Sequence, residues 1–137
     1  MNKNDELTGT LVLVHPQFND DPAGKQNQIG VITTADLEND NVFVSFGKDG
    51  QALYASNALM VLQKPRTIHF NTMQNRTAME TPDFKDLLRI SVLADSSLMK
   101  DRRQAIEMAK GNPLILEHSM ASLDDELGIR EAYSMER

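Results

Sequence analysis

Over the first 62 residues apolar and polar positions alternate in short runs. Beyond Thr81 they recur every three to four residues. The two periods belong to strand and helix. In the first region Leu7 to Val14 reads as a strand ended by His15-Pro16, where proline removes a ladder donor. A polar loop, "QFNDDPAGKQNQ", follows with turn residues Asn19-Asp20-Asp21-Pro22 and Gly24. Ile29 to Thr34 is the next strand. Asn41 to Phe46 then sets Val42, Val44 and Phe46 on one face and Phe43 and Ser45 on the other. "GKDG", Gly47 to Gly50, supplies a hairpin turn into Gln51 to Tyr54. A short turn, "ASNA", leads to a last strand at Leu59 to Leu62.

The second period opens at Thr81-Pro82-Asp83, which reads as Thr N-cap, proline at the first helical position and an acid in the first turn. Phe84, Leu87, Leu88, Ser91 and Val92 form its predicted face. Asp95-Ser96-Ser97 breaks the helix, and Leu98, Arg102, Ala105, Ile106 and Ala109 mark a second that Gly111 stops. Asn112-Pro113 repeats the cap-plus-proline device, and Leu116, Ser119, Met120, Leu123 and Leu127 define a third helix running to Gly128. Short breaks favour antiparallel neighbours. The segment between the two patterns predicts a further helix from about Thr67 to Met79.

Gly30 with "VI", the run "VFVSFGKDG" from Val42, Tyr54, and "LMVL" at Leu59 resemble the strand sequence of an SH3-like small β-barrel of the KOW or Tudor kind. The shared features are a long first loop, a glycine opening strand two, a tight hairpin between strands three and four, and a short turn into the last strand. The resemblance covers residues 6–63 and implies a fold more than a role, because small barrels serve many functions. The expected fold class is therefore α+β: an N-terminal SH3-like five-stranded barrel over residues 1–64, a linker or extra helix over 65–80, and a bundle of three or four short helices over 81–137. The helical part resembles no family.

Charge narrows the partners. Residues 1–65 hold four lysines, no arginine and eight acids, a net of −4; the whole chain carries −6. Nucleic-acid affinity rests on Lys and Arg neutralising phosphates, so an acidic, arginine-free region binds it poorly. The start "MNKNDELTGT" has no apolar signal-like core, and the longest apolar run, "LVLV", is too short for a membrane span. With no cysteine, disulfides and thiolate metal sites are excluded. The expectation is a soluble cytoplasmic protein without membrane association.

Candidate chemistry is sparse. Gly30, Gly47 and Gly50 fall in no phosphate-loop order and in no strand-to-helix turn, so they are expected to turn strands. His15, His69 and His118 have no ligand spacing. Asp124-Asp125-Glu126 lacks the alternating oxygens of a calcium loop and is expected on a solvated face near a helix end. No serine sits in a nucleophile elbow. No cofactor or metal is expected, and no catalysis. Phe18, Phe43 and Tyr54 would form an aromatic cage only if they met at one barrel end. The eight methionines read as filling for irregular helix packing rather than as a partner groove. What remains is a non-catalytic interaction module for a protein or peptide partner, with Phe18, Asp20, Asp21, Lys25 and Tyr54 around the first loop as the candidate surface. The alternative, association with nucleic acid as the KOW resemblance implies, rests on Lys100, Arg102, Arg103 and Lys110, a stripe interrupted by Asp101 and Glu107.

Overall fold

The computed structural model describes residues 6–17 and 21–127. It is a mixed α+β protein with a six-stranded antiparallel sheet and five α-helices among the described residues. The described residues fall into two compact units. One runs to Val61 and resumes at Ser122; the other is Leu62–Ala121.

The strands are β1 (Leu11–Val14), β2 (Ile29–Asp36), β3 (Asn41–Ser45), β4 (Gln51–Tyr54), β5 (Leu59–Leu62) and β6 (Met120–Ser122), hydrogen-bonded in the order β4-β3-β2-β1-β5-β6. The sheet is not closed, which corrects the expectation of a closed five-stranded barrel. A sixth strand joins, and β4 and β6 remain as edges. β1 begins at Leu11 rather than Leu7, because the chain turns first: the Thr10 N–H donates to the Leu7 carbonyl and Gly9 takes a φ of 91°.

Period two explains the strand-unit core. Val12 and Val14 of β1, Ile32 of β2, Val42 and Val44 of β3, Tyr54 of β4, and Leu59 and Val61 of β5 are buried together, with Phe46 and Ala52 packed against them. β1 is buried at all four positions, since Leu11 and Leu13 are covered on the opposite face. A bulge between Ile32 and Thr34 bends β2, which lets one strand turn a corner while pairing both neighbours. Gly30 is obligatory for packing. A Cβ there would overlap Val44 Cγ1 and lie 2.9 Å from the Ser45 carbonyl oxygen. At the β3–β4 hairpin Gly47 and Gly50 adopt φ of 68° and 94°, the left-handed region glycine enters without strain.

In the second unit α1 (Pro65–Gln74) is followed by a 3₁₀ turn (Arg76–Ala78), α2 (Thr81–Ala94), α3 (Met99–Lys110) and α4 (Pro113–Ser119). α2 packs on α1, α3 and α4, and α4 also contacts α1 and α3. Ile68, Leu87, Ile90, Ala105, Ile106, Ala109 and Ile115 are buried. The buried hydroxyls of Thr72 and Ser119 donate to the carbonyls of Ile68 and Ile115, which satisfies them within their own helices. Asn112 caps α4, its Oδ1 accepting from the N–H of Leu114 at 3.0 Å and of Ile115 at 3.4 Å. Its Nδ2 donates to Asp83 Oδ1 at 3.1 Å.

Three expectations for the helices are corrected. Thr81 lies inside α2 rather than capping it. Val92 is 71% exposed while Ile90 takes the buried position, so the apolar face is rotated from the one the spacing suggested. The third helix is interrupted: α4 ends at Ser119, Met120–Ser122 forms β6, and α5 (Leu123–Leu127) begins a new turn. The Gln63 N–H on the Ser119 carbonyl and the Gln63 side-chain amide on the Met120 carbonyl take backbone acceptors there into non-helical bonds. Tertiary pairing overrides a good helical pattern. Leu123 and Leu127 then pack on the strand-unit core.

Candidate functional site

The first loop is organised by Asp21. Its Oδ1 accepts from the Ala23 N–H at 2.9 Å, its Oδ2 from the Lys25 N–H at 2.8 Å, and its carbonyl from the Gly24 N–H at 3.0 Å. Aspartate two residues before a turn does this because its side chain mimics a backbone acceptor. The Tyr54 hydroxyl donates to the same Oδ2 at 2.8 Å, fastening the loop to the end of β4. Lys25 places its ammonium 5.7 Å from the centroid of Phe46, whose ring meets Tyr54 edge-on at 6.4 Å. Such a cation–π contact contributes about 0.5–1 kcal/mol near a surface.

The electrostatics follow from these bonds. Partial burial alone would raise the Asp21 carboxyl; the Lys25 N–H, the Tyr54 hydroxyl, the Ala23 N–H and the Lys25 charge outweigh it and hold the group below the usual carboxylate range. Burial, then the Asp21 hydrogen bond and its negative charge, push the Tyr54 hydroxyl above the usual phenol range.

Of the candidate residues, Asp21, Lys25 and Tyr54 come together, while Phe18 and Asp20 lie outside the described residues. The three form an anchor, with both Asp21 oxygens accepting internal bonds and Tyr54 buried. The open surface lies beside them. A groove of about 500 Å³ runs between His15, Gln17 and Pro22 on the loop side and Leu53, Ala55 and Asn57 on the side of β4 and the turn after it. Leu53 is 50% exposed, and Phe43, directly opposite it in the β3–β4 pair, is 40% exposed on the same outer face. Sequence reasoning missed Leu53, Asn57 and His15. Leu53 was legible as the outward residue of an alternating strand, but alternation alone does not say that an outward leucine stays uncovered.

The aromatic cage is not formed by Phe43 and Tyr54. Phe43 faces outward and Tyr54 lies in the core, as period two requires of residues paired with Leu53 and Val42 respectively. Asp124 is buried at the start of α5, where its Oδ1 accepts the Asp125 N–H at 2.9 Å. The acids therefore sit at a helix beginning, where the dipole favours them, and not on a wholly solvated end. Among the described residues no group of three His, Asp or Glu could hold a metal ion, and no helix is long and apolar enough to cross a membrane.

The cationic alternative lies on α3. Arg102 is turned inward along the helix start, donating to the Ser96 carbonyl at 2.8 Å, and Lys110 pairs with Glu107 at 3.1 Å. Lys100 and Arg103 are exposed. On α1, Phe70 is 59% exposed and borders a groove of about 400 Å³ with Met73 and Arg76.

Regrouping the charges by unit separates them. The described strand unit carries nine carboxylates against Lys25 and Lys48, a net of −7, whereas Leu62–Ala121 carries nine Lys and Arg against seven acids, a net of +2. Comparison of the chain with protein-family models, curated proteins and solved structures returns no match.

Proposed function

We propose that the protein is a non-catalytic interaction module whose strand unit, an SH3-like small barrel in type with its sheet left open, binds a protein or peptide partner in the groove beside the first loop. The anchored loop carries this reading. Asp21 and Tyr54 hold one wall of a partly apolar groove in place, and a loop pre-ordered on a rigid scaffold loses little entropy on binding. The barrel reading is supported by a single core lined by β1 to β5, the bent β2 and the 3₁₀ turn (Ser56–Ala58) into β5. His15, Gln17 and Asn57 offer polar groups suited to peptide amides, and Pro22 and Leu53 offer apolar contact. A soluble, cytoplasmic setting without membrane association belongs to the same proposal.

The test is partner capture with Asp21→Ala, which frees the loop, and Asn57→Arg, which fills the groove. Both should lose nuclease-resistant partners that the native chain retains. Undiminished capture by both variants would place the binding surface elsewhere. The second reading, association with nucleic acid, is favoured by the net positive helical unit with its exposed Phe70, Lys100 and Arg103. Its signature would be a steep loss of binding with salt.

A further inference from the structure

We infer that the groove works by strand addition: an extended peptide bearing lysine or arginine pairs with the outer edge of β4. This rests on the interaction-module reading and adds to it the backbone groups that bind.

β4 ends the sheet, and its register with β3 fixes which of its groups face outward. Ser45 lies opposite Gln51 and Phe43 opposite Leu53. Continued by one residue, the register sets Phe46 opposite Gly50, and there the Phe46 N–H donates to the Gly50 carbonyl at 2.7 Å. In an antiparallel pair, bonded residues alternate with non-bonded ones. Val44–Ala52 and Val42–Tyr54 are therefore bonded pairs, and Gln51 and Leu53 turn both N–H and C=O away from β3. The Phe43 carbonyl agrees, since it accepts from the Thr33 hydroxyl on the β2 side at 3.3 Å. No described residue bonds the outward backbone groups of Gln51 or Leu53.

Natural proteins blunt exposed edges with lysine, proline or a bulge. Gln51–Tyr54 contains neither charge nor proline, and the β3–β4 register runs without a shift. The open groups are bordered by the exposed Leu53 and Phe43, and the groove continues from Leu53 to Ala55 and Asn57. An incoming strand thus meets unpaired backbone first and side-chain pockets beside it, the two elements of recognition by strand addition. Charge selects the occupant. A second copy pairing edge to edge would set side by side two strand units whose described residues each carry −7, whereas a cationic peptide is drawn to one.

The test uses the full chain and a display library of random short peptides, with the selected peptides remade carrying backbone N-methyl groups in each of the two alternating registers. Leu53→Pro removes an outward N–H while leaving the bonded β3–β4 pairs intact, and Leu53→Ala controls for the lost side chain. Strand addition predicts lysine- or arginine-bearing peptides that slow amide exchange at Gln51 and Leu53. One N-methyl register should weaken binding by about tenfold or more while the other leaves it, and Leu53→Pro should bind about tenfold more weakly than Leu53→Ala. If Leu53→Pro fails to fold, the two N-methyl registers decide. Peptides that perturb His15, Gln17 and Asn57 yet tolerate both registers would overturn strand addition and leave the interaction module standing. Selection of no peptide would overturn both. Slowed exchange at Gln51 and Leu53 that grows with protein concentration alone would assign the edge to a second copy and overturn the proposal.

Discussion

The strand unit has two lysines and no arginine among its described residues, whereas Leu62–Ala121 holds every described arginine and a slight positive balance. They also differ in how they use polar side chains. In the strand unit Asp21, Tyr54 and Lys25 tie a long loop to a sheet; in the helical unit Thr72, Ser119 and Asn112 satisfy backbone and hydroxyl groups within or at the start of single helices. Long-range polar ties hold a long loop in a fixed shape in the strand unit, whereas in the helical unit those from Gln63 to Met120 and from Asn112 to Asp83 join the starts and ends of helices. That contrast is the ground on which we propose the acidic unit as the binding surface.

Several measurements can break or sharpen the contrast. The largest effect is expected in the two cores. Ile32→Ala and Ile106→Ala each remove a fully buried side chain and should each lower unfolding free energy by about 2–5 kcal/mol in denaturant titration. Glycine should then divide the units. Gly30→Ala forces a Cβ onto Val44 and the Ser45 carbonyl and should cost about 1–3 kcal/mol, whereas Gly111→Ala meets nothing within 4 Å at a φ of −91° and should be neutral or stabilise by about 0.4–1 kcal/mol. Equal effects would mean that strand packing around Gly30 yields more than its distances indicate.

Asn112→Ala removes the α4 cap and the bond to Asp83, and should cost about 1 kcal/mol by thermal unfolding. The smallest effect concerns pH. The Asp21 carboxyl is depressed in the folded chain, so the stability it contributes is present above the ordinary carboxylate pKa and is lost as pH falls through the lower folded value. Asp21→Asn should remove that part of the acid dependence, so that the difference in midpoint between native and variant chains narrows below about pH 4. A gap that stays constant down to strong acid would show that the Asp21 charge plays no part in holding the loop.

Much of this architecture was legible along the chain. Alternation gave the inward face of β3, glycine marked the hairpin, and Asn112-Pro113 announced α4. What escaped has physical causes. A helical pattern from Leu116 to Leu127 could not reveal that Gln63 would take the carbonyls of Ser119 and Met120. Dividing the sequence at residue 65 gave two acidic parts, of net −4 and −2, because Asp124, Asp125 and Glu126, which return to the strand unit after the helices, were counted with the second. For the site, the turn chemistry of Asp21 was readable, but its bond to Tyr54, 33 positions away, was not. Of the residues expected to meet a partner, Asp21, Lys25 and Tyr54 anchor the wall beside the groove, and the exposed positions are their neighbours.

The most direct measurement is a side-by-side capture from lysate with and without nuclease, using the native chain, the groove variant Asn57→Arg, and the double variant Lys100→Ala with Arg103→Ala. Binding through the acidic strand unit predicts partners that survive nuclease, persist with the double variant and are lost with Asn57→Arg. Partners that vanish with nuclease, or with the double variant alone, would contradict it and move the function to the helical unit.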